Sequence, residues 1–326
     1  MMTKLERLHR LTDDRGVIAA LAIDQRSSLQ HALSSAMGRA ATARDLEIFK
    51  SLCVDILTPY ASAVLLDPEF GLPALQKKSS NTGLLLSYEK TGYDSTVQGR
   101  LPALLEGYSV GRLRGLGADA VKLLVYYDPY DSHEVNGHKK NFVRQVGDEC
   151  RREDMPFFLE LVTYSDAIGD TKSFLFAQKK PELVMAVMRE FSDPSYGVDV
   201  LKIEFPFNIA YVGGSSAHVV EDVAYSRDEV LTILRQAAQC TSLPFIYLSA
   251  GVSIEAFVES LALVREAGVF YHGVLCGRAI WQEGIAVYGR GGEAALRSWL
   301  LTDGVAHIQR VNAELARSAV GLFGLS

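Results

Sequence analysis

The chain predicts an α/β protein folded as one (β/α)8 barrel, a TIM barrel, over residues 1–326 with an extra C-terminal helical segment. Three observations carry this expectation. Eight short, β-rich apolar runs can be counted without forcing the pattern, and segments long enough for a crossover helix separate them. The turn after the first run is Asp24-Gln25-Arg26, not the Gly-x-Gly-x-x-Gly that a dinucleotide-binding open sheet would place there. No repeat beyond this unit and no Pro/Ser-rich linker marks a domain boundary, and α/β barrels fill such lengths as one domain.

In order, the strands are expected at 17–23, 62–66, 83–87, 120–125, 157–162, 200–205, 245–248 and 271–275. Each is a short β-rich apolar run followed by polar or Gly/Pro-containing sequence. Residues 101–115 (LPALLEGYSVGRLRG) and 254–267 (IEAFVESLALVREA) show apolar recurrence at i, i+3 and i+4 and predict helices. Pro181 and Glu182 suit the first turn of a helix reading PELVMAVMREF. Two connections, 128–145 and 206–225, are longer and more polar than the rest and are candidate lids at the face where barrel enzymes place their chemistry. Residues 300–326 read as additional helix on the barrel's outside or on a partner subunit, which favours a homo-oligomer.

The composition is that of an ordinary globular core, with 48% hydrophobic and 22% charged residues and a mean hydropathy of +0.09. A net charge of −6 leaves no general basic surface for nucleic acid or an anionic membrane, so an anionic ligand needs a local cluster. The N-terminal residues lack an apolar signal region, and no apolar run is long enough for a membrane helix, which predicts a cytoplasmic protein. Cys53, Cys150, Cys240 and Cys276 lie far apart and read as buried thiols.

Ionisable residues stand at or near the C-terminal ends of several strands: Asp24, Asp67, Lys122, Glu160, Lys202 and, after the eighth, Arg278. A charge buried there is costly unless paired or used, and these ends converge. For Asp67 a structural salt bridge is as good a reading as function. Lys122, Glu160 and Lys202 lie on three consecutive strands, and inward residues of alternate strands share a layer. Two strand spacings are roughly 9–10 Å, a gap long side chains close, so both ammonium groups are expected on one carboxylate. A lysine beside another cation within apolar walls loses its proton more readily, as a Schiff-base nucleophile must, and Lys202 fits that role. A salt-bridged triad without chemistry is the competing reading, and Glu204 is the rival to Glu160 as acid/base. Ser249-Ala250-Gly251 and Gly277-Arg278, after strands seven and eight, resemble a phosphate cradle, with Ser253 as the N-cap of the following helix. Arg26 is placed to meet a second anion across the mouth. Of seven histidines, His133 and His138 share the 128–145 loop, and their spacing matches no zinc motif, so no metal is expected.

Six segments carry a family resemblance: ALAIDQR (20–26), GADAVKLLVYYDP (117–129), FFLELVTY (157–164), DVLKIEFPFN (199–208), FIYLSAGVS (245–253) and GVLCGRAIW (273–281). In order and spacing, nearly end to end, they resemble the class I tagatose-1,6-bisphosphate aldolases of the tagatose 6-phosphate pathway in lactose and galactose catabolism. The resemblance implies a carbon–carbon lyase without a metal or other cofactor, cleaving a ketohexose 1,6-bisphosphate to dihydroxyacetone phosphate and glyceraldehyde 3-phosphate. It further implies Lys202 as the Schiff-base lysine and Glu160 as acid/base, with Lys122, Asp24 and Gln25 around the sugar hydroxyls and the carbinolamine. Ser249, Gly251, Gly277 and Arg278 would hold the phosphate of dihydroxyacetone phosphate, and Arg26 would contribute to the distal phosphate or a nearby hydroxyl. Ser27-Ser28 and the pair Phe205 and Phe207 depart from the usual pattern and bear on the distal group. Sulfofructose-1-phosphate aldolases are close relatives and stand as an alternative. So does a barrel that binds sugar phosphates to regulate a partner, and a metal-dependent aldolase is a third.

Overall fold

In the computed structural model, residues 2–93, 96–218 and 220–323 are described. Eight parallel strands close into a barrel in chain order: β1 (Ile18–Ala22), β2 (Ala63–Leu66), β3 (Gly83–Ser87), β4 (Ala120–Tyr127), β5 (Phe157–Thr163), β6 (Val200–Ile203), β7 (Phe245–Leu248) and β8 (Gly273–Cys276). All eight fall within two residues of the expected runs. The helices are α1 (Lys4–Arg10), α2 (Ser27–Met37), α3 (Ala43–Leu57), α4 (Val110–Gly115), α5 (His133–Arg152), α6 (Phe174–Phe191), α7 (Arg227–Ala238), α8 (Ile254–Glu266), α9 (Arg278–Trp281), α10 (Glu283–Trp299) and α11 (Val305–Ser318). None of the described helices is long and apolar enough to cross a membrane.

The core has two layers. Inward residues such as Ile18, Ala20, Leu65, Leu85, Phe158, Val200 and Ile246 fill the barrel, while outward residues pack with the helices in a second, larger cluster. The interior is therefore solid below the level of the strand-end charges, as alternating inward layers require. The C-terminal segment lies on the outside: Ile308, Val311 and Leu315 of α11 are buried, and Glu314 pairs with Arg265 of α8 at 2.7 Å. Residues 324–326 of the expected helical tail lie outside the described residues. All four cysteines are buried and free.

Three sequence expectations need correction. Only residues 110–115 of the 101–115 segment are helical; Pro102 lacks an amide N–H, and Gly107 bends the chain at φ 74°, so this stretch runs as an extended connection. The 128–145 connection is not a loop, because α5 begins at His133 with Ser132 as N-cap, and both His133 and His138 are helical. The buried stripe of this helix includes Asn136, Lys139, Val143, Val146 and Cys150, and its two polar members disguise the helical period. Finally, Pro181 lies inside α6, which starts seven residues earlier behind the N-cap Ser173. Proline leaves the Ala177 carbonyl without its helical donor, and the buried Tyr225 hydroxyl supplies the missing hydrogen bond.

Candidate active site

The C-terminal ends of the strands surround a cavity of about 660 Å³, large enough for a sugar phosphate. Its lining includes Asp24, Gln25, Arg26, Lys122, Glu160, Lys202, Ser249, Gly251, Gly277 and Arg278, so every residue singled out for catalysis or substrate binding reaches one space.

At its floor, Glu160 and Lys202 are register partners across β5 and β6, while Lys122 on β4 is opposite Phe158. Both ammonium groups approach the same carboxylate oxygen, Glu160 Oε2: Lys122 Nζ at 2.7 Å and Lys202 Nζ at 2.9 Å. Lys122 Nζ also donates to Asp24 Oδ2 and to Glu89 Oε1, each at 2.8 Å. Strand parity brings these groups together: Lys122, Glu160 and Lys202 point inward, and Asp24 follows β1 two residues beyond the inward Ala22.

Burial by itself would lower the Lys122 pKa, but Asp24, Glu160 and Glu89 outweigh it and hold the ammonium well above its ordinary value. For Glu160 burial opposes ionisation, yet Lys122 and Lys202 together keep its carboxyl below the usual range. Asp24 is likewise held low against burial, by Lys122 and Lys202. In Glu89 burial prevails over the attraction of Lys122 and Arg26, and its pKa is raised. Lys122 is therefore a fixed cation at the centre of this cluster.

The second cluster adjoins β1, β7 and β8. Ala250 and Gly251 both have positive φ, 49° and 78°, and the turn brings the Gly251 backbone against Arg278, where a Cβ would sit 2.7 Å from the guanidinium carbon. Gly277 is equally constrained, since a Cβ there would lie 2.8 Å from the Ala22 carbonyl oxygen. The Trp281 indole donates to that same carbonyl at 2.8 Å, tying α9 to the end of β1. The Arg278 side chain is exposed and makes no hydrogen bond or ion pair with any described residue, leaving both edges of its guanidinium for an anion. Ser253 caps α8, as expected, by accepting from the Ala256 amide.

Arg26 is differently occupied. It is buried, with Nη1 on Glu69 Oε2 at 2.7 Å, Nη2 on the Glu89 carbonyl at 2.9 Å, and only Nε unpaired. Gln25 keeps Oε1 buried and unpartnered. Asp67 pairs with the fully buried Lys50 of α3 and accepts from the Phe70 amide at 2.7 Å, which is the structural role weighed for it. Glu204, the rival to Glu160, accepts from the Thr163 amide and hydroxyl at 2.8 Å each and pairs with Lys180 at 3.2 Å. It reaches the cavity wall but neither of the central lysines.

Sequence reasoning missed Glu89, Lys180 and Lys50. For Glu89 a signal existed: Leu85, Ser87 and Glu89 share a strand parity, and Leu85 fills the barrel. Phe205, a departure from the family pattern, stacks on Tyr247 with ring centroids 4.4 Å apart and belongs to the wall. The described residues contain no cluster of three or more His, Cys, Asp or Glu side chains arranged to hold a metal.

Residues 18–283 match the family described as DeoC/LacD family aldolase. The tagatose 1,6-diphosphate aldolase of Listeria monocytogenes is 48% identical over 317 residues, covering 97% of this chain and 93% of that protein. Tagatose 1,6-diphosphate aldolase 2 of Enterococcus faecalis is 46% identical, covering 97% and 94%, and the Streptococcus pneumoniae enzyme is 44% identical, covering 97% and 96%. Among solved structures, fructose-bisphosphate aldolase from Plasmodium falciparum superposes with a TM-score of 0.69 at 14% identity over 95% of this chain and 94% of the other, a likeness of fold.

Proposed function

The chain belongs to the DeoC/LacD aldolase family, and from that premise we propose that it cleaves tagatose 1,6-bisphosphate reversibly to dihydroxyacetone phosphate and glyceraldehyde 3-phosphate through a Schiff base on Lys202. As a family member it is a carbon–carbon lyase. The observation that carries the mechanistic reading is Lys202 Nζ lying 2.9 Å from Glu160 Oε2 at the floor of a cavity whose rim holds an unpaired arginine.

The resting site holds Lys202 as an ammonium against the Glu160 carboxylate. Passing one proton from Nζ to the carboxylate as the substrate binds frees the amine and makes Glu160 an acid. The free amine attacks the C2 ketone, and Glu160, now an acid, protonates the departing hydroxyl of the carbinolamine to give an iminium and water. Glu160 is then a carboxylate again and takes the proton of the C4 hydroxyl. The C3–C4 electron pair flows toward the iminium nitrogen, leaving an enamine and releasing the aldehyde. Glu160 returns the proton to C3, and water hydrolyses the resulting iminium to free dihydroxyacetone phosphate.

Lys122 stays protonated throughout. Its fixed charge stabilises developing negative charge on the C3 and C4 oxygens and holds Asp24 and Glu160 in place. Asp24 and Gln25 offer acceptors and donors to the sugar hydroxyls. Ser249, the backbone at Gly251 and Gly277, and Arg278 bind the C1 phosphate, remote from the bond that breaks, so binding energy serves positioning. In this scheme the iminium is the electron sink, and neither a metal nor another cofactor is required. A substrate of this kind suits a cytoplasmic enzyme, and the helical C-terminal segment suits a homo-oligomer.

The test is a coupled assay for triose phosphate with tagatose 1,6-bisphosphate and sulfofructose 1-phosphate supplied separately. Cleavage of the bisphosphate with the higher kcat/KM is expected. Turnover of neither compound by folded protein would refute the reading.

A further inference from the structure

Because the barrel closes in chain order, β4 lies diametrically across the mouth from β8. Arg278 follows β8. On the opposite side Arg100, in the connection between β3 and α4, lines the same cavity with a half-buried side chain. Its guanidinium carbon is 4.1 Å from the ring centroid of Tyr164, 5.3 Å from that of Tyr93 and 6.0 Å from that of Tyr126. Tyr126 shares the strand parity of Lys122 and lies four residues beyond it, about 13 Å further along β4 toward the mouth.

The fold holds this cation firmly. Arg100 has φ 48°, a left-handed conformation that a non-glycine residue adopts at a cost, and such outliers persist where the surroundings fix them. The preceding Gly99 packs so closely on α5 that a Cβ would sit 2.5 Å from the Val135 side chain. The Tyr164 hydroxyl, which donates to Asp131 Oδ2 at 2.7 Å and accepts from the buried Lys139 at 2.8 Å, lies 3.1 Å from the Gly99 carbonyl. Several other cations of the wall are neutralised by buried carboxylates, Arg26 by Glu89, Lys122 by three acids, Lys180 by Glu204 and Lys202 by Glu160, while Lys90 and Lys172 are exposed side chains at its edge. Its one ion pair among the described residues is with the exposed Asp166, at 3.4 Å. A strained backbone and an aromatic cradle thus present a weakly paired, planar cation to the cavity, opposite the unpaired Arg278.

We propose that Arg100 reads the distal anion of the substrate, the C6 phosphate, while Arg278 holds the anion on C1. This assignment rests on the aldolase reading above and deepens it. Arg26, already shared between Glu69 and Glu89, supports the wall on this side. The guanidinium fork of Arg100 matches two oxygens of a tetrahedral oxyanion, so a C6 sulfonate is bound by the same chemistry.

The experiment compares Arg100→Met and Arg100→Gly with the unaltered chain on three ketoses carrying C1 phosphate: one with C6 phosphate, one with C6 sulfonate and one with a free C6 hydroxyl. Arg100→Gly keeps the backbone conformation without strain. Loss of a charge-assisted pair predicts that kcat/KM for the bisphosphate falls about 10- to 100-fold, chiefly through KM, while the free-hydroxyl substrate changes less than about threefold. A parallel loss on the sulfonate shows recognition of any tetrahedral anion, and a loss on phosphate alone shows recognition of the dianion; both support the assignment. Arg100→Lys recovers part of the loss. Equal loss on all three substrates, or none on the bisphosphate, overturns it. Trapping of dihydroxyacetone phosphate by borohydride in the unaltered chain separates the two claims: failure there removes the aldolase reading and this one together, whereas intact trapping with unchanged bisphosphate kinetics removes Arg100 alone.

Discussion

Replacing Lys122 by methionine keeps the length of the side chain and removes the cation around which Asp24, Glu89 and Glu160 converge at 2.7–2.8 Å. All four groups are buried, with Lys122 at 1% exposure. Removing one partner of a buried ion pair costs about 3–5 kcal/mol, because the remaining charges are left uncompensated. With an unfolding entropy of about 2.1 cal/mol/K per residue over 326 residues, each kcal/mol shifts the midpoint by about 1.5 °C, so Tm should fall by about 4–8 °C. The sign with pH follows from linkage. The raised pKa of Lys122 contributes stability that is complete below its unfolded pKa and lost only as pH rises through the higher folded value. The lowered pKa values of Asp24 and Glu160 contribute stability present above the usual carboxylate pKa and lost as pH falls through their folded values. The whole network therefore acts near neutrality. In Lys122→Met the carboxylates bind protons more readily, which relieves the deficit in acid. Calorimetry at pH 8 and pH 5 should show a deficit about half as large at the lower pH, since protonation removes the unpaired charges. Adding Glu89→Gln should recover part of the loss, because burial already disfavours that charge. A Tm deficit independent of pH, or below about 2 °C at pH 8, would refute the reasoning.

Arg278→Ala should raise KM for phosphorylated ketoses about 10- to 100-fold with little change in kcat, the expected cost of one charge-assisted pair remote from the reacting bond; unchanged KM in steady-state kinetics would remove Arg278 from the phosphate site. Tyr225→Phe should cost about 1–2 kcal/mol by stranding the Ala177 carbonyl, and denaturant melts should show most of that cost vanish in a Pro181→Ala background, where the helix amide returns. Additive effects of the two substitutions would contradict that account of α6.

The barrel was legible because parallel strands covered on both faces read as unbroken apolar runs, which is how Ala63–Leu66 and Phe245–Leu248 declare themselves. A polar or charged residue within or just beyond such a run stands out, so Asp24, Lys122, Glu160 and Lys202 were visible, and strand parity accounts for their meeting. Glu89 escaped because it lies two residues past β3, in an irregular connection that the pattern at 101–115 disguised as helix. Lys180 and Lys50 escaped for another reason: each reaches an acid at a strand end from an outer helix, Glu204 and Asp67, and helical periodicity does not reveal a charged side chain that bridges to the sheet. Arg100 is of the same kind, since its place depends on a left-handed residue and on tyrosines from three separate segments.

The central claim is covalent chemistry at one lysine among several in the same cavity. Incubating the protein with dihydroxyacetone phosphate, reducing with borohydride and mapping the adduct by mass spectrometry tests it most directly. A single adduct on Lys202, absent from folded Lys202→Met, is the predicted result. No adduct on folded protein, or an adduct on Lys122 or Lys180 instead, would contradict the account.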